Sequence, residues 1–291
     1  MKTIEIRGEK TTELPPGFRF SEGRLTISNE RTDSDPIKVV LAGDSEGSLE
    51  VVVARNAEAK VLVELIGKRK APDSHFSLSL QAEENSSVKY ILIGELSSLK
   101  AELEQKIMVQ RNALIEVIGG FVSHRLDAKL RLELASEGAE ARIRSITVSS
   151  QDDIQSIDVF IDHRAKNTYG LMENIGIANR NGQIVLNGVE KIEKGMKSAN
   201  AYQTLKGIIM SDEALVEVNP ILLIDEYDVQ AGHGATIGKI EEQVLYYLQS
   251  RGLTRSDAER LIINGLIKPV IDEIDDEAVR DRFVERVHAR I

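Results

Sequence analysis

The chain has no cysteine, no tryptophan and only six prolines. Without cysteine there is no disulfide framework and no thiolate for metal binding. With six Phe and six Tyr, the core must be mainly aliphatic. That suits stacked rows of Val, Ile and Leu better than an aromatic-lined pocket. Unbroken apolar stretches, such as Ile221 to Ile224, reach only about four residues, whereas a membrane-spanning helix needs roughly 20. A basic excess is also missing. The net charge of −10 would repel a phosphate backbone, and nucleic-acid binding needs a basic footprint. The longest basic cluster, Lys68-Arg69-Lys70, reads as a solvated loop beside Pro72. Met1 to Arg7 lack the apolar run of a secretory signal. Neither a nucleic-acid nor a membrane partner is expected, and the location read from the sequence is cytoplasmic.

What is present is a patterned globular chain. Its 291 residues, 42% hydrophobic and 29% charged, can bury a sizeable core in one or two domains. Residues 1–36 are polar and turn-rich, with Pro15-Pro16-Gly17 and the segment from Asn29 to Pro36, and read as an arm with one strand or hairpin. Residues 37–238 are a succession of short alternating segments, such as Lys60 to Ile66, Val88 to Ile93 and Asp127 to Leu134. Period-two alternation of this length reads as β-strand.

The strands recur behind similar corners: Arg55-Asn56-Ala57, Glu84-Asn85-Ser86, Arg111-Asn112-Ala113, Glu137-Gly138-Ala139 and Asn181-Gly182-Gln183. Positions 56, 85, 112 and 138 are separated by 29, 27 and 26 residues, a period that marks a repeat array. The longer step from 138 to 182 implies an insertion or an unrecognised corner. Asn and Gly tolerate the left-handed backbone of tight corners. Short strands with no helix in the unit favour a β-solenoid. An antiparallel sandwich also alternates and turns often, and is the alternative.

Residues 239–291 change to a helical period and form a small C-terminal helical subdomain. Ile240, Val244, Leu245 and Leu248 share a face, and Gly252 sits at a C-cap position. Thr254 opens a second helix with Asp257 at the capping-box offset; Ala258, Leu261 and Ile262 form its stripe, and Gly265 is expected to end it. A third helix, with Val279, Phe283 and Val287 spaced by four, starts near Asp276.

Enzyme motifs are scarce. Gly238-Lys239 does not complete a P-loop, because His233 occupies the required earlier Gly position and Ile240 follows the Lys. The run Gly232-x-Gly234-x-x-x-Gly238 lacks the further strand a dinucleotide site requires. There is no His-Glu-x-x-His or Gly-x-Ser-x-Gly, and the five histidines are not at metal-ligand spacing. His163 reads as a strand-end residue, and His233, between two glycines, as a corner residue.

Several linked segments from about 160 to 275 nevertheless resemble the SufB/SufD family of iron–sulfur cluster assembly scaffolds. They are the His163 region, Asn187 to Gly195, Ser198 to Gln203, Asn219 to Ile240 around His233, and Glu242 to Leu253. The resemblance implies a right-handed parallel β-helix core with C-terminal helices. It implies docking of the SufC-type ABC ATPase through those helices, with Leu245, Leu248, Leu261, Ile262 and Leu266 as candidate contacts. It also implies pairing of the core with a SufB-like subunit or with a second copy, as a dimer. The family often has Cys two residues before the matched His, where this chain has Ala231. Since clusters are held chiefly by thiolates, this SufD-like chain is expected to hold no stable cluster alone. His233 would lend one imidazole at an interface to a transient iron–sulfur cluster shared with a partner. The chain is read as a scaffold rather than an enzyme. The alternatives are a β-solenoid enzyme acting on polysaccharide and a homomeric module without a metal role.

Overall fold

The computed structural model describes residues 2–6, 14, 17–28, 36–43, 46–67 and 73–291. In chain order its strands are β1 (Lys2–Ile6), β2 (Phe18–Ser21), β3 (Arg24–Ile27), β4 (Ile37–Gly43), β5 (Glu46–Val53), β6 (Glu58–Gly67), β7 (Asp73–Ala82), β8 (Ser87–Glu95) and β9 (Lys100–Val109). They continue as β10 (Leu114–Phe121), β11 (Arg125–Leu134), β12 (Glu140–Ser149), β13 (Ile154–His163), β14 (Tyr169–Ala178), β15 (Gln183–Ile192), β16 (Asn200–Ile209), β17 (Leu215–Ile224) and β18 (Gln230–Lys239). Three helices follow: α1 (Glu242–Ser250), α2 (Arg255–Ile271) and α3 (Glu277–His288).

From β4 onward the chain alternates between two nine-stranded sheets. One holds β1 and the even strands from β4, the other β2 and the odd strands from β3. Neighbours pair in parallel, as in β10–β12 and β11–β13, except in the antiparallel β2–β3 hairpin. The fold is therefore a parallel β-solenoid and not an antiparallel sandwich. Residues 1–36 supply β1 and the β2–β3 hairpin, which pair with β4 and β5. The Lys68-Arg69-Lys70 cluster and most of the Pro15–Gly17 and Asn29–Pro36 segments lie outside the described residues.

The corners explain the repeat. Asn56, Asn85, Asn112, Asn167 and Ser198 have φ between +52° and +59°, and Gly138 has φ +72°, the region Asn and Gly tolerate best. Each donates its backbone N–H to the next coil: Asn56 to Glu84 O, Asn85 to Arg111 O, Asn112 to Glu137 O, Gly138 to Lys166 O and Asn167 to Lys197 O. Side chains form a second ladder, with Asn85 Nδ2 donating to Asn56 Oδ1 (3.0 Å) and Asn112 Nδ2 to Asn85 Oδ1 (3.4 Å). The missing corner after Gly138 is thus Asn167. Asn181-Gly182 belongs to the opposite edge, where β14 turns into β15.

Inward-facing side chains of both sheets fill the lumen with one aliphatic cluster, including Val51, Val63, Leu80, Leu103, Val117, Leu130 and Ile143. A second cluster lies outside the even-numbered sheet. There Leu62, Ile91, Ile93, Ile118, Ile146, Val148 and Ile177 are covered by Ile263, Ile267 and Val270 of α2 and Val279, Phe283 and Val287 of α3. Gly120 makes the close approach possible, since a Cβ there would lie 2.8 Å from the Phe283 ring. Ion pairs border the contact: Arg282 to buried Glu64, Arg282 Nε to Glu95 (3.1 Å), Lys38 to Glu64 (2.8 Å) and Asp276 (3.2 Å), and Lys89 to Glu273 (2.5 Å).

Thr254 caps α2 by accepting from Asp257 N, and Asp276 caps α3 by accepting from Val279 N. Gly252, φ +96°, follows α1 as expected. Gly265, however, does not end α2, which continues through Pro269 to Ile271. Pro269 cannot donate to the carbonyl four residues back, that of Gly265. Burial of Ile263, Ile267 and Val270 on the sheet outweighs that lost bond, a tertiary override of local propensity.

Candidate functional site

Parallel register aligns inward positions of the even-numbered sheet into a column: Ile37, Val61, Tyr90, Val117, Ile143, Met172, Gln203 and His233. Every member but the last has another coil beyond it. His233 belongs to β18, the final strand of its sheet, so the same position that is buried elsewhere is exposed here. The sequence placed His233 in a corner, whereas it lies within a strand. Gly232, Gly234 and Gly238 interrupt the apolar alternation and so hide the strand pattern; none has a positive φ among the described residues.

The coil around His233 is an open end. Among the described residues β17 and β18 are the outermost strands of their sheets and present unpaired backbone groups along their free edges. Pro220, which has no N–H to offer the ladder, sits on the β17 edge. Leu215, Ile221, Leu223, Tyr227 and Ile237 are exposed on this coil, an apolar rim of the kind that marks an interaction surface.

Behind the open end the lumen turns polar. Gln203 is buried; its Nε2 donates to Ile221 O (3.0 Å), and its Oε1 has no partner among the described residues. His163 and Glu190 are fully buried. The Thr168 hydroxyl donates to Ala165 O (3.2 Å), so its oxygen accepts from His163 Nδ1 (2.8 Å). That leaves His163 Nε2 as an acceptor facing Glu190 Oε2 at 3.4 Å, and the proton between them belongs to the carboxyl. Burial drives both groups to their neutral forms: Glu190 is pushed up to about 9 and His163 down to about 4. Gly170 provides the room, since a Cβ there would lie 2.7 Å from Glu190 Oε2 and 2.9 Å from His163 Nε2. His163 is at a strand end, as expected, but in the lumen rather than in a polar corner. Glu190 carried one usable signal: it interrupts the inward row Ile184, Leu186, Gly188, Glu190, Ile192.

No group of three or more His, Asp or Glu side chains able to hold a metal occurs among the described residues. His233 therefore offers a single ligand. The candidate helix contacts differ in position. Leu261 is 52% exposed and Leu245 is buried, Leu248 and Ile262 are half-buried, and Leu266 packs against the cluster on the sheet. Val244, Tyr246 and Tyr247 of α1 are exposed, so of the residues read as sharing one face Leu245 is buried and Val244 is not. No helix among the described residues is long and apolar enough to cross a membrane.

Residues 42–266 match the family described as SUF system FeS cluster assembly, SufBD core domain. The chain belongs to the SufB/SufD family. Among curated relatives, the iron–sulfur cluster assembly protein SufD of Bacillus subtilis is 34% identical over 158 residues, 54% of this chain and 36% of that protein. SufD of Escherichia coli is 24% identical over 245 residues, 82% of this chain and 57% of that protein. Protein ABCI7, chloroplastic, of Arabidopsis thaliana is 25% identical over 264 residues, 89% of this chain and 52% of that protein. The chain thus spans roughly a third to somewhat over half the length of these curated relatives.

Proposed function

We propose that this chain is the architectural, non-catalytic half of a cytoplasmic SUF scaffold on which an iron–sulfur cluster is assembled. One observation carries the reading: in a chain without cysteine, an exposed His ends the inward column of an uncapped solenoid coil. The open end pairs with the equivalent coil of a SufB-like subunit, or with a second copy. Pairing covers Leu223 and Ile237 and gives the edges of β17 and β18 backbone partners. His233 then presents one imidazole across the joint, while thiolates come from the partner, and the nascent cluster is the cargo rather than a resident group.

A SufC-type ATPase docks on the helical face formed by Val244, Tyr246 and Tyr247 of α1 with Leu261 of α2. Exposed aromatic side chains are favoured anchors at such surfaces. Nucleotide turnover in that subunit biases two arrangements of the scaffold pair, which requires different contacts in each. Co-purification with a SufB-like subunit and the ATPase tests the assignment. Leu223→Asp with Ile237→Asp should abolish scaffold pairing and leave ATPase capture intact, and Tyr246→Ala with Tyr247→Ala should do the reverse. If both double variants retain both partners, these surfaces are not the interfaces.

A further inference from the structure

The outer face of the odd-numbered sheet, on the side away from α2 and α3, holds a groove of about 370 Å³. Two neighbouring rows of outward-facing side chains form its floor. One row is Ser79, Lys106, Arg131 and Phe160; the next is Gln81, Met108, Glu133 and Asp162. Adjacent strands lie about 4.8 Å apart, and rows two residues apart along a strand are separated by about 7 Å.

Lys106 and Arg131 are therefore cations side by side, an arrangement that costs stability unless an anion lies between them. Both are exposed and neither has a carboxylate at ion-pair distance among the described residues; Arg131 lies over the Phe160 ring at 5.7 Å. The nearby charges do not supply that anion. Glu50 is paired with Arg24 at 3.2 Å, and Arg164 is held by Asp162 (2.7 Å) and Glu193 (3.3 Å). In the second row Glu133 has no ion pair among the described residues, and buried Asp162 keeps Oδ1 without a partner. Lys106 and Arg131 in one row and Glu133 in the next thus face the groove without satisfying each other, with Phe160 and Met108 as apolar surface, while Asp162 is taken up by Arg164.

We propose that this groove binds a small zwitterion with an apolar middle, its carboxylate between Lys106 and Arg131 and its ammonium against Glu133. The site is independent of the pairing assigned to the open end. A ligand-observed NMR titration of the full chain with 4-(aminomethyl)benzoate, whose charged ends match the row spacing, tests it. Saturable 1:1 binding is expected, with benzylamine and 4-methylbenzoate each at least about tenfold weaker. Arg131→Gln and Glu133→Gln should each weaken the zwitterion at least about tenfold, whereas Lys129→Gln, on the same strand one row away, should leave it unchanged. Thermal unfolding of each variant establishes that it is folded. No saturable binding up to about 10 mM, equal binding of the singly charged compounds, or unaltered affinity in both charge variants would overturn the proposal.

Discussion

Replacing Glu190 by glutamine should remove most of the loss of stability that the fold suffers as the pH rises. In the folded chain the carboxyl keeps its proton until about pH 9, because burial penalises the anion. In the unfolded chain it releases that proton near its ordinary value of 4.5. Between those values the folded state binds one more proton than the unfolded state, so stability falls with rising pH by about 1.4 kcal/mol per unit. His163 works in the opposite sense: its folded value, about 4, lies below the ordinary 6.5, so its contribution is lost as the pH falls through that interval. The two slopes cancel from about pH 4.5 to 6.5, leaving a net loss of about 3 kcal/mol between pH 6.5 and 9. Glutamine preserves the hydrogen bond, since its amide donates to His163 Nε2, but has no proton to release. Urea denaturation of both proteins at four pH values from 6 to 9 measures the effect, and other titrating groups cancel in the difference. Because His163 cancels in that difference, the variant should gain about 4 kcal/mol on the wild type across that range. Parallel stability curves would show that Glu190 is ionised in the fold and that the assigned tautomer is wrong.

Two further changes probe how the elements are joined. Phe283→Ala should cost about 3–5 kcal/mol, because it empties the contact over Gly120 and loosens α3 from the sheet; a loss below about 1 kcal/mol by chemical denaturation would mean that the helices are not held by this packing. Asn112→Ala should cost about 1–2 kcal/mol by placing a Cβ-bearing residue without a compensating amide at positive φ, and Asn112→Gly should cost less. If alanine and glycine are equally tolerated in thermal unfolding, corner conformation is not what selects Asn.

The solenoid was legible because its corners need a left-handed residue once per coil, and Asn56, Asn85 and Asn112 occupy that place in register. Ser198 escaped notice because serine is not a usual residue at positive φ, and β18 because glycines replace the apolar alternation. The continuation of α2 past Gly265 and Pro269 was illegible because it depends on burial against a sheet formed more than a hundred residues earlier. The meeting of His163 with Glu190 required knowing the coil length, which brings residues 27 apart into contact. His233 was visible as a candidate, but its place at the end of a lumen column came only from strand register.

Iron and sulfide content after reconstitution and desalting tests the central claim most directly, with this chain alone, with a cysteine-bearing SufB-like partner, and with that partner and His233→Ala. The account predicts no stoichiometric cluster on the chain alone, a loaded complex, and a several-fold lower yield in the variant complex. A stable cluster on the unaided chain, or full loading of the His233→Ala complex, would contradict it.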